Sequence, residues 1–183
     1  MRFKMLASAT LIAAPFMLLG GYANAEEFSA TFSGFEEVGA LNAETGAIFS
    51  PGKGTLDLDL NRNARTIAFK LSFSGLSAPV TQAHIHFGKR HVPGGIMVFF
   101  CTNLNNGPPG TQLCPAGGGT VTGTITGGSV VGPTAQHVTP GDFDALVAAL
   151  VSDTAYGNIH TTAFPAGEIR GQIRHDDHDD DKH

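Results

Sequence analysis

An all-β fold, either an antiparallel β-sandwich or a Greek-key barrel with one short helix near 140–152, follows from three features of this 183-residue sequence. Short segments of alternating apolar and polar residues recur between turn signals, as strands with one buried face require. The 24 glycines and 10 prolines are too many for helix interiors, which tolerate neither. Only one stretch carries helical spacing.

The strands follow in order. Phe28–Phe35 is the first candidate. Gly54–Leu60 sets Leu56, Leu58 and Leu60 on one face, and Thr66–Phe73 does the same with Ile67, Phe69, Leu71 and Phe73. Asn61–Ala64 between them has the length of a hairpin connection. Val80–Phe87, Ile96–Cys101, Gly119–Thr126, Tyr156–Thr161 and Glu168–Arg174 complete the set. The helix is predicted by Phe143, Leu146, Val147, Leu150 and Val151, which fall at i, i+3, i+4, i+7 and i+8. Thr139 is its expected N-cap, with Pro140 in the first helical position and Asp142 in the first turn.

Both ends differ from the middle. Met1–Ala25 has a basic start (Arg2, Lys4), an apolar run from Leu6 to Leu19, and small residues at Ala23 and Ala25, the layout of a cleaved signal peptide. The chain is therefore expected to be exported, to a periplasm or outside the cell, with no transmembrane segment after cleavage. Residues 26–174 form the expected single domain. The tail 175–183 holds five aspartates and three histidines and no apolar side chain, so it is expected to stay disordered. It serves either as a solubilising extension or as a loose trap for divalent metals.

Composition excludes several classes. The net charge of -5 lacks the basic footprint that a nucleic-acid partner demands. No Gly-x-Ser-x-Gly elbow is present, and the glycine runs 117–119 and 127–128 lack the spacing of a phosphate loop. Export also interprets the cysteines. Cys101 and Cys114 are an even pair in a compartment that permits disulfides, and a bond between them closes an aperiodic loop.

The chemistry resides in the histidines. Along Val80–Phe87 the alternation sends Ala83, Ile85 and Phe87 to the core, and His84 and His86 together to the other face, roughly 6–7 Å apart. Two imidazoles so spaced can converge on one ion. In Tyr156–Thr161, Ile159 takes the apolar face, while His160 lies with Asn158 and Tyr156 on the other. If these strands are neighbours, three histidines meet. Three neutral imidazoles suit copper or zinc and leave a coordination position open. His91 and His137 are candidate fourth ligands, Glu168 a candidate to orient a ligand ring, and Arg170 a partner for Glu168 or an attractor of small anions. Without a metal, the same histidines would hydrogen-bond loops and cap sheet edges.

The run Ala83–His86, preceded by Leu76–Thr81, resembles the central motif of the CHRD domain, a family named after chordin. Tyr156–Thr161 followed by Pro165–Gln172 resembles that family's closing signature, and Phe32–Val38 its opening. The likeness spans residues 28–174; the Cys101/Cys114 loop and the acidic tail are departures from it. The resemblance implies an immunoglobulin-like β-sandwich of extracellular or envelope proteins. In animals the domain occurs in a secreted growth-factor antagonist, a role that fold alone does not transfer. The His-x-His strand with a distant third histidine also resembles copper-zinc superoxide dismutases. No cluster here resembles their zinc-binding loop.

Two functions are compatible with these residues. The first is an exported metal-binding sandwich, copper favoured over zinc, with the ion at His84, His86 and His160 and redox chemistry open to it only with copper. The second is a non-catalytic envelope or extracellular module with no metal, whose sheet contacts a protein or polysaccharide and whose Asn158/His160 and Glu168/Arg170 pairs hold strands together.

Overall fold

Apolar side chains at every second position decide which way each strand of this protein faces. The computed structural model describes residues 25–38 and 46–176. The expected leader cleavage lies outside the described residues except for Ala25, and so does the tail from 177 onward. Among the described residues the strands are β1 (Ala25–Phe32), β2 (Lys53–Asn61), β3 (Thr66–Ser74), β4 (Val80–Phe87), β5 (Gly95–Thr102), β6 (Gly119–Ile125), β7 (Ala155–Thr161), β8 (Ile169–Gln172) and β9 (Arg174–His175), and the one α-helix is α1 (Phe143–Val151). They form two antiparallel sheets, in the orders β6-β3-β2-β1-β9 and β5-β4-β7-β8. Neither sheet closes on itself among the described residues, so the molecule is a sandwich and not a barrel.

In β2 and β3 the burial alternates residue by residue, and Leu56, Leu58, Leu60, Ile67, Phe69, Leu71 and Phe73 form one wall of the core. The second sheet supplies Ala83, Ile85, Phe100, Ile159 and Ile169. The Phe69 and Phe100 rings meet at 4.9 Å between centroids. Burying each such side chain contributes on the order of 2 kcal/mol before conformational entropy is set against it.

Glycine permits one close approach. Gly157 on β7 pairs with Gly171 on β8. A Cβ on Gly157 would stand 2.3 Å from Cζ of Phe32, and one on Gly171 would stand 2.4 Å from the Thr31 carbonyl oxygen. The two missing side chains let β1 lie directly against the second sheet.

Beyond the first strand ending at Phe32, Glu168–Arg174 dividing into β8 and β9, and Val151 of the helix stripe being exposed, two details differ from the sequence expectation. The helix begins at Phe143, and its N-cap is Asp142, which accepts from Ala145 N at 2.9 Å. Thr139 and Pro140 lie outside it, because Gly141 turns the chain through φ +92° and a helix cannot run back through that geometry. The sheet also extends past 174. Arg174–His175 pairs with Ser29 and Phe28, and Ser29 Oγ donates to Asp176 at 2.6 Å. Strand pairing uses backbone groups, so it does not need the apolar side chains that the tail lacks.

Cys101, at the end of β5, is bonded to Cys114, with Cα atoms 5.0 Å apart. Asn103 fixes the same loop: its Nδ2 donates to the carbonyls of Val80 and Cys114, and its Oδ1 accepts from Cys114 N. Closing a loop with sequence separation 13 removes unfolded-state freedom worth about 3 kcal/mol in the chain-entropy model. The Cys101→Ala/Cys114→Ala protein should therefore unfold at lower urea with ΔG reduced by about 3 kcal/mol; a midpoint equal to that of the wild type would refute this.

Candidate metal centre

Strand order and register bring the histidines together. β4 lies between β5 and β7, and in the β4–β7 ladder Gln82 faces His160, His84 faces Asn158, and His86 faces Tyr156. In the β7–β8 ladder Asn158 faces Arg170. Alternation then puts His84, His86, Tyr156, Asn158, His160 and Arg170 on the side of the sheet away from the inter-sheet core. Against β5, β4 keeps pace only through register shifts after Ala83 and after Ile85, flanking the two histidines. Bulges of this kind re-aim side chains beside sites.

This polar face is not open to solvent: His84, His86, Asn158, His160, Glu168 and Arg170 are all buried. Loops cover it. The β4–β5 connection supplies the Gly94 carbonyl, the β7–β8 connection supplies the Pro165 carbonyl, and the chain after β1 brings in Glu37.

One ligand atom from each of His84, His86 and His160 lies within 4.8 Å of the others. The loop carbonyls set two tautomers. His86 Nδ1 donates to the Gly94 carbonyl at 2.9 Å, and His160 Nδ1 to the Pro165 carbonyl at 2.9 Å, so each Nε2 carries a lone pair. His84 Nδ1 is 3.1 Å from His160 Nε2. His86 Nε2 and His84 Nε2 are buried without a hydrogen-bond partner. Burial, reinforced by the neighbouring imidazoles His160 and His86, pushes His84 down to about 2. Burial pushes His86 down to about 4 against the opposing Gly94 bond, with His160 and the Arg170 charge adding to the decrease. Burial also lowers His160, against its bond to Pro165. All three are neutral at physiological pH, the state that a metal ligand needs.

A stack of planar groups adjoins the cluster. The Tyr156 ring lies parallel to His86 (interplanar 5°, centroids 4.8 Å apart), and the Arg170 guanidinium carbon sits 3.3 Å from the Tyr156 centroid. Tyr156 belongs to β7, between the strands of the other two. A pocket of about 420 Å³ opens here, lined by His86, Tyr156, Asn158, Arg170 and Glu37 among others.

The other expected site residues lie elsewhere. His91 is exposed and bonds Glu36 at 3.1 Å, alongside Arg90. His137 is exposed at the end of a 3₁₀ turn. Neither belongs to the cluster, because loop positions are not tied to the β4–β7 register. Glu168 orients no imidazole and does not pair with Arg170. Its carboxylate accepts from Ser50 Oγ, Ser77 N and Thr161 Oγ1 at 2.6–2.8 Å and so ties three segments together. Burial works against its ionisation, yet those bonds hold it below the usual carboxylate range. Asn158 contacts Glu37 through Nδ2 and not a histidine.

Sequence reasoning missed Glu37 and the part played by Tyr156. The alternation of β7 already put Tyr156 on the histidine face; its stacking on His86 needed the register. Glu37 gave no signal, since it comes from a loop. Burial pushes its carboxyl up to about 7, against the lowering effects of its Val38 and Asn158 bonds and of the Arg170 charge.

The CHRD domain family model matches residues 28–173, and the chain belongs to that family. No curated protein and no solved structure matches it significantly. Among the described residues no helix is long and apolar enough to cross a membrane.

Proposed function

We propose that this CHRD-domain protein is an exported metal-binding β-sandwich in which His84, His86 and His160 hold one metal ion, copper in preference to zinc. The reading is carried by the three buried, neutral imidazoles with ligand atoms within 4.8 Å of one another. The donor set fits. Imidazole nitrogen suits copper and zinc, and copper(II) stands above zinc in the general affinity order. The loop carbonyls of Gly94 and Pro165 play the outer-shell role, fixing each ring and raising its basicity. Bound copper would supply one-electron redox chemistry, whereas zinc would supply a Lewis acid. The residues around it exclude bulk water on the β5 side, where the Phe99 ring packs edge-on against His84 at 4.4 Å, and leave the pocket beside Tyr156 as the way in. The disulfide is what an oxidising compartment permits, which supports export.

The test is calorimetric titration of copper(II) and zinc(II) into protein ending at Asp176, which removes the distal Asp/His residues but keeps the pairing of β9 with β1. One equivalent should bind with a Kd below about 1 μM, and the His84→Ala/His86→Ala/His160→Ala protein should lose it. Binding no tighter than micromolar, or unaltered in the triple variant, refutes the reading and leaves the envelope module without metal.

A further inference from the structure

Arg170 is the largest fully buried side chain among the described residues, at 2% exposure, yet no described carboxylate pairs with it. Among the described residues none of the salt bridges involves it. A buried cation in this position costs several kcal/mol unless other groups compensate it. The compensation is partial. Nη2 donates to the carbonyls of Lys89 at 3.0 Å and Val92 at 3.1 Å, and the guanidinium lies on the face of Tyr156. A guanidinium has five N–H donors. Among the described residues no bond from Nε or Nη1 to a carbonyl or carboxylate is found, and Tyr156 covers one face of the group.

These spare donors belong to a residue lining the 420 Å³ pocket. The nearby carboxylates are otherwise engaged. Glu168 is tied to Ser50, Ser77 and Thr161, and Glu36 to Arg90 and His91. Glu37 lines the pocket but is bonded by Asn158 Nδ2 and by its neighbour Val38 N. The rest of the lining sets the apolar Val38, Pro93 and Ala166, which lower the local dielectric and strengthen charge contacts made inside, beside the polar His86, Tyr156 and Asn158.

We propose that this pocket is a binding site for one small monovalent anion, a carboxylate such as formate or a linear inorganic anion such as thiocyanate, held by the free donors of Arg170. Charge-assisted bonds to a guanidinium are the strong class of hydrogen bond, and its planar fork favours small planar or linear anions. The site stands on Arg170 and needs no metal ion. With a metal held as proposed above, this is the class of anion that reaches His86 through the pocket.

The experiment uses metal-free, ¹⁵N-labelled full-length mature protein, titrated with sodium formate and with sodium thiocyanate at an ionic strength held constant with sodium gluconate, whose anion is bulkier. Saturable shifts are expected at Arg170 Nε–H and the Asn158 side-chain amide. Arg170→Gln should weaken binding by about tenfold or more, the loss of a charge-assisted contact, and Arg170→Lys should restore part of it. Should Arg170→Gln fail to fold, the wild-type titration decides alone. Shifts that do not saturate, that are no larger than those at the surface residues Lys53 and Arg62, or that survive Arg170→Gln unchanged overturn the proposal. Copper titration of the same samples is read separately, so anion binding without metal binding removes the metal reading and leaves this one standing.

Discussion

His84→Leu should abolish tight copper binding while leaving the metal-free protein about as stable as the wild type. Loss of an outer-shell partner alone weakens a metal site by about 10–100-fold, and loss of a ligand should exceed about 100-fold. Stability moves differently. His84 is fully buried, and its Nε2 has no partner. An unsatisfied buried polar nitrogen costs roughly 1–3 kcal/mol, which a leucine of similar bulk against Phe99 would recover. Against that gain stands the lost 3.1 Å bond to His160. The two nearly offset, so urea denaturation of the metal-free variant should fall within about 1 kcal/mol of the wild type. The purely structural reading predicts the opposite pattern. A loss above about 3 kcal/mol with copper affinity intact would sink the metal site.

Acid should destabilise the metal-free protein well before ordinary carboxylates titrate. His84 and His86 have folded-state values of about 2 and about 4, both depressed, and His160 is lowered too. In the unfolded chain each titrates near 6.5. Between 6.5 and 4.5 the unfolded state therefore binds protons that the folded state refuses, and stability falls as pH falls, by about 1.4 kcal/mol per pH unit for each histidine. Glu37 opposes this. Its carboxyl is raised to about 7 in the fold from an ordinary 4.5, so across the same window the folded state holds a proton that the unfolded state has released. Two histidines against one glutamate leave a net loss of about 1.4 kcal/mol per pH unit, and His160 adds to it. Urea midpoints of the metal-free protein should drop steadily from pH 6.5 to 4.5. A flat or rising profile would contradict the buried, neutral state of the cluster. Added copper should delay the drop, since protons and metal compete for the same lone pairs.

Most of the scaffold was legible in single strands. Leu56, Leu58 and Leu60, or Ile67, Phe69 and Leu71, need no knowledge of their neighbours to be assigned a buried face, because the period of two is set by the backbone. The helix stripe from Phe143 to Leu150 was legible for the same reason, as was the cysteine pair. His84, His86 and His160 could be named as one group because alternation placed each opposite an isoleucine or alanine that had to go inward.

The tertiary structure decided everything that depends on what lies beside or above a strand. Alternation tells which residues share a face but not whether that face is covered, so the histidine face proved buried under loops that carry Gly94, Pro165 and Glu37. Spacing within one strand does not fix the register with the next, so the stacking of Tyr156 between His86 and Arg170 was invisible. Loop residues obey no period at all. His91 and His137 therefore looked as eligible as the others and fell outside the cluster, while Glu168 turned to Ser50, Ser77 and Thr161. Periodicity is a local property of the backbone and can be read from the sequence; desolvation, pairing and pKa are properties of the whole packing around a group, and only the assembled sandwich sets them.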